Sequence, residues 1–147
     1  MKTSYSFPVD AILLLGPTGS GKSPLGEHIA RNGLSGKKAH HLDFGAELRA
    51  IISGNNPSLP YTSSEISFIT GVLNQGLLLE NQHFPLARKI DGSFLDRSGQ
   101  TSDDVLIHKG IPRHAGQAKD IASIATVRAL VLLNCSVDSV FCRLREN

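Results

Sequence analysis

Tryptophan is absent from this 147-residue chain, methionine occurs once, and aromatic residues make up only 5% of it. An aromatic-poor chain that is still 40% apolar must build its core from aliphatic side chains. Long hydrophobic runs are also missing. The longest, Ala11–Leu15 and Ala129–Leu133, are five residues each, far short of the roughly 20 that a spanning helix needs. Met1–Asp10 carries one lysine and no extended apolar stretch, so no secretory leader is expected. Cys135 and Cys142 are the only cysteines. Two cysteines in apolar settings predict buried free thiols rather than a disulfide or metal site, and a reducing, cytoplasmic location. Fifteen Lys and Arg against thirteen Asp and Glu leave a net charge of +2, too small and scattered to argue for a nucleic-acid partner. No membrane partner is expected, and the expected state is a monomer. The length suits one compact domain.

What is present is concentrated at residues 16–23, Gly16-Pro17-Thr18-Gly19-Ser20-Gly21-Lys22-Ser23. This is a full G-x-x-x-x-G-K-[ST] phosphate-binding loop. The apolar run before it predicts a buried parallel strand, and Leu25, His28, Ile29, Arg31 and Asn32 predict a helix after it, ending near Gly33. Strand, glycine turn and helix N-terminus would aim several backbone N–H groups at one anion. Gly16, Gly19, Ser20, Gly21, Lys22, Ser23 and Pro24 are therefore the expected ATP-binding residues. Lys22 would reach the outer phosphates and the Ser23 hydroxyl would ligate Mg²⁺, the expected cofactor. Pro24 fits a first helical turn, where its missing N–H costs little.

The remaining chain reads as alternating strands and helices. Strands are expected at Ala39–Asp43, Val105–His108 and Ala129–Leu133. Helices are expected over Gly45–Ile52, from a Thr62/Glu65 capping box, over about Asn81–Ile90, over Ala115–Ala125, and over Val137–Arg145. Polar, Gly- and Ser-rich Asp91–Asp104 reads as an exposed loop. The histidines read as surface or core side chains without metal spacing. The fold class implied is a three-layer α/β domain with a mainly parallel sheet flanked by helices.

Gly110-Ile111-Pro112-Arg113 directly follows the third strand, where ligands of open α/β sheets bind. Arg113 would come beside the phosphate loop, with Gln117 four residues later able to pair with a base edge. Here the chain resembles the adenylate kinase family of nucleoside monophosphate kinases, whose D-G-F-P-R is followed by a Gln. Phe44-Gly45-Ala46-Glu47-Leu48-Arg49 is similar to the family's T-G-D-x-L-R, Gln75–Leu79 to its Gly-led acceptor-base segment, and Cys142-Arg143-Leu144 to its E-R-L. The segments occur in family order at about family spacing.

The resemblance implies a single P-loop kinase-like domain over residues 1–147, with a helical acceptor-binding insertion at about 44–90. It implies transfer of the ATP γ-phosphoryl group to a nucleoside monophosphate. Lys22 and Arg113 would be catalytic, and Arg143 would lie against the donor base. Arg49 and Arg113 would grip the acceptor phosphate, while Gly110, Gln117 and the Leu77, Leu78 and Leu79 backbone would line the acceptor site. Three departures accompany it. Phe44 replaces a Thr, Lys109 replaces the Asp that orders the metal's water, and family members continue past Asn147 with an Arg-bearing lid, so slow transfer is expected. The open alternatives are a nucleotide-binding protein without catalysis and another small P-loop transferase, such as a small-metabolite kinase or a tRNA prenyltransferase.

Overall fold

The computed structural model describes residues 6–54, 61–75, 81–111 and 115–146. Four strands form one all-parallel sheet: β1 (Val9–Leu15), β2 (Ala39–Asp43), β3 (Val105–Lys109) and β4 (Ala125–Leu132). Their spatial order is β2-β3-β1-β4. Among the described residues six α-helices connect and flank them: α1 (Lys22–Asn32), α2 (Phe44–Ile52), α3 (Ser63–Gln75), α4 (Phe84–Ser98), which a 3-10 turn at Asn81–His83 precedes, α5 (Ala115–Ile121) and α6 (Val137–Glu146). The architecture is α/β, as expected.

The sheet divides the core in two. Side chains of a strand alternate between faces, so Val9, Ala11 and Leu13 of β1 enter one cluster with side chains of α2, α3, α4 and α5. Ile12 and Leu14 enter the other with Val105, Ile107, Leu25 and Ile29, under α1. Burial on both faces is why β1 reads as a continuous apolar run. Leu14, Leu42, Ile90, Leu106 and Ile107 are all at least 98% buried, each contributing about 1.5–3 kcal/mol. Among the described residues no helix is long and apolar enough to cross a membrane.

The capping box forms as read: the Thr62 amide donates to Glu65 Oε2 at 2.8 Å and the Glu65 amide to Thr62 Oγ1 at 3.1 Å. Three expectations are corrected. Asp91–Asp104 is not an exposed loop, because α4 continues to Ser98 and stops on Gly99 in the left-handed region (φ 71°). Four of its polar residues, Asp91, Ser93, Gln100 and Asp104, are buried, and Asp91, 1% exposed, lies 2.9 Å from His108 Nε2 on β3. Next, α5 ends at Ile121 rather than Ala125, and β4 begins at Ala125 rather than Ala129. The Ser123 amide bonds back to the Asp120 carbonyl, and Ile124 is already tied to β1 through the Val9 amide at 3.0 Å. The i, i+3 spacing of Ile121 and Ile124 imitated a helix across that turn. Finally, both thiols are free, but Cys135 is only half-buried and Cys142 is exposed.

Candidate functional site

The order β2-β3-β1-β4 places consecutive connections on opposite sides of β1 and β3. The β1 connection leads toward β2, and the β3 connection leads across β1 to β4. Their carboxyl ends therefore flank a crevice. A cleft of about 900 Å³ opens there, lined by the Gly16–Gly19 loop, Gly21–Pro24, Asp43, Gly45, Arg49, Lys109, Gly110, Arg143 and Leu144.

The glycine-rich loop joins the central strand to α1. Gly16 has φ 147°, and a Cβ there would lie 2.7 Å from the Leu133 carbonyl oxygen, so the turn needs glycine. Gly21 caps α1 in the left-handed region with no side-chain cap, which leaves the first amides of the helix facing the loop. Lys22 folds back onto its own loop, donating to the Gly16 carbonyl and to the Pro17 carbonyl at 2.8 Å. Ser20 is 7% exposed, and its hydroxyl has no hydrogen-bond partner among the described residues.

Where the loop ends, Ser23 belongs to a three-residue network. Lys109 Nζ donates to Ser23 Oγ at 2.8 Å and to Asp43 Oδ2 at 2.9 Å. The Ser23 hydroxyl lies 3.4 Å from the same carboxylate oxygen. Asp43 and Lys109 are register partners on adjacent parallel strands, so the pairing is imposed by the sheet. The other Asp43 oxygen caps α2 by accepting from the Ala46 amide at 3.1 Å. Burial pushes the Asp43 carboxyl up. The Lys109 hydrogen bond, the Ala46 amide and the charges of Lys109 and Arg49 outweigh it and hold the group below its ordinary value. Gly110 admits the β3 exit close to α2: a Cβ there would meet Phe44 Cβ at 2.8 Å.

The structure thus gathers Gly16, Gly19, Gly21, Lys22, Ser23, Pro24, Arg49, Gly110 and Arg143 around one cleft. Arg143 reaches it from α6 by donating to the Gly19 carbonyl at 3.1 Å. Gln117 is 5% exposed and is not among the residues lining the cleft. Arg113, Leu77, Leu78 and Leu79 lie outside the described residues. Sequence reasoning did not foresee the Lys109–Asp43–Ser23 network as a unit. Its signal is present, since Asp43 and Lys109 each end a short strand.

Two histidines do converge on carboxylates, one each: His108 on Asp91, and His40 on Asp104 at 2.9 Å. No group of three metal-ligating His, Cys, Asp or Glu side chains occurs among the described residues. Asp43 and the Ser23 hydroxyl are side-chain oxygens that the cleft offers a hard cation, and Lys109 Nζ is bonded to both. The donor pair does not fit Mg²⁺ while that ammonium stays in place. No protein-family model matches the chain, and no curated protein matches its sequence.

Proposed function

We propose that this chain is an ATP-dependent phosphotransferase of the nucleoside monophosphate kinase type, whose donor triphosphate lies along the Gly16–Ser23 loop. The observation that carries the reading is that loop's position between the central strand and α1, at the sheet's switch point, opening into a cleft lined by Lys22, Arg49, Lys109 and Arg143. Phosphoryl transfer asks a protein mainly to position two polyanions and spread positive charge over the transferring group. Four cations facing one carboxylate, Asp43, supply that charge among the described residues.

Lys22 would swing from the Gly16 and Pro17 carbonyls onto the outer phosphates, exchanging neutral acceptors for charged ones. Arg49, on α2 beyond Asp43, is the cleft cation set apart from the loop and would take the acceptor's phosphate, with Arg113 following β3. Planar guanidinium groups suit this because they bind phosphate oxygens bidentately. Arg143 would lie against the donor base.

A second reading, nucleotide binding without transfer, is favoured by one feature: Lys109 occupies the oxygens that would otherwise serve a metal. Calorimetric titration with ATP, followed by a coupled ADP assay with AMP, CMP and UMP, separates the two. ATP binding with ADP release supports the kinase, and ATP binding alone supports the second reading. Absence of ATP binding at millimolar nucleotide removes both.

A further inference from the structure

Resting on that nucleotide reading, we propose that the Lys109 ammonium is a built-in replacement for the divalent cation, so that the loop takes a nucleoside di- or triphosphate without magnesium. Magnesium binds oxygen at about 2.0–2.1 Å. An ion shared by Ser23 Oγ and Asp43 Oδ2, themselves 3.4 Å apart, would lie within about 4 Å of Nζ, which is bonded to both at 2.8 and 2.9 Å.

The ammonium is not a mobile surface charge. Its side chain is 22% exposed and that of Asp43 20%. The β2–β3 register sets the two opposite each other, and the Ala46 amide holds the carboxylate from its far side. Expelling Lys109 would leave Asp43 without the partner that compensates its partial burial. A second positive centre at the same place would also meet direct repulsion, which weakens little in a half-buried site.

The remaining chemistry suits phosphate. An ammonium has three N–H donors; Ser23 and Asp43 take two, and the third can serve a phosphate oxygen. With Lys22 lining the same cleft, the phosphates would meet two ammonium groups where a loop of this type usually offers one and a metal.

The test is calorimetric binding of ATP and ADP to the whole chain in excess EDTA and again in excess MgCl₂. Wild type is expected to bind in both, with Kd values agreeing to within roughly threefold. Lys109→Met keeps the apolar stem without the charge, and should bind roughly tenfold or more weakly in EDTA, the loss of one charge-assisted phosphate contact. Lys109→Asp should bind poorly in EDTA and recover with MgCl₂. Far-UV circular dichroism and thermal unfolding of both variants establish that they fold; if Lys109→Asp does not, Lys109→Met decides alone. Binding by wild type that requires MgCl₂ overturns the inference while leaving the nucleotide reading intact, as does a Lys109→Met variant with wild-type affinity in EDTA. No binding by wild type in either buffer overturns the nucleotide reading, and the inference with it.

Discussion

The two sides of the sheet are built differently. On the β2–β3 side, polar groups are interlocked and largely hidden: His108 with Asp91, His40 with Asp104, and Lys109 with Asp43 and Ser23. On the β4–α6 side, Leu130, Leu132, Val137, Phe141 and Leu144 are each at least half exposed, and α6 buries none of its residues. Arg143 reaches the loop from this open side through one exposed hydrogen bond, whereas Lys109 reaches it from the closed side through a partly buried bond to Ser23 and is held by a second to Asp43. Cations lining the same cleft therefore differ in preorganisation. Lys109 is held in place before any ligand arrives, and Arg143 must be ordered by it, at a cost in side-chain entropy.

The largest effect should come from opening the closed side. Asp91→Ala leaves His108 buried and without its carboxylate, and should lower stability by about 3 kcal/mol. Phe141→Ala on the open side should change it by less than about 0.5 kcal/mol. Chemical denaturation of the two variants checks the contrast, and equal losses would abolish it.

Lys22→Ala should weaken ATP binding by about 1.5–3 kcal/mol, the worth of a hydrogen bond to a charged group. Titration calorimetry reads it directly, and an unchanged affinity would detach Lys22 from the phosphates. Arg143→Ala should cost less, about 0.5–1.5 kcal/mol, because its anchor on the Gly19 carbonyl is exposed. A loss matching that of Lys22→Ala would show that ligand binding closes the open side firmly.

The smallest effect concerns acidity. Burial is the main cause holding His41 below its ordinary 6.5, against the charges of Asp43 and Glu27, which raise it. Between the lowered value and 6.5 the unfolded chain binds a proton that the folded chain does not. This contribution to stability is complete above pH 6.5 and lost as pH falls through the folded value. Urea midpoints measured above and below pH 6.5 should show that fall in wild type and a shallower one in His41→Gln. Identical slopes would place His41 outside the linkage.

Much of the frame was legible along the chain. Ala39–Asp43 is a strand with those bounds, and the Thr62–Glu65 box and the Gly33 stop of α1 appear where local chemistry puts them. These features depend on neighbours within a turn or two. The misreading of residues 91–104 fell where a polar residue has a distant partner. Asp91 and Ser93 resemble loop residues until His108, 17 positions away, is seen beside Asp91. The cleft divides in the same way: Gly16–Ser23 is contiguous and readable, whereas Asp43 and Lys109 are 66 positions apart.

By itself the sequence determined the alternation of strands and helices, the aliphatic core and the glycine loop, because periodicity, capping and backbone freedom are local properties. Only the tertiary structure decided which strands adjoin. Adjacency of β2 and β3 in parallel register is what brings a lysine and an aspartate to one point above Ser23. Strand order is a matter of which apolar faces bury one another across the whole chain, and no short window of residues contains that information.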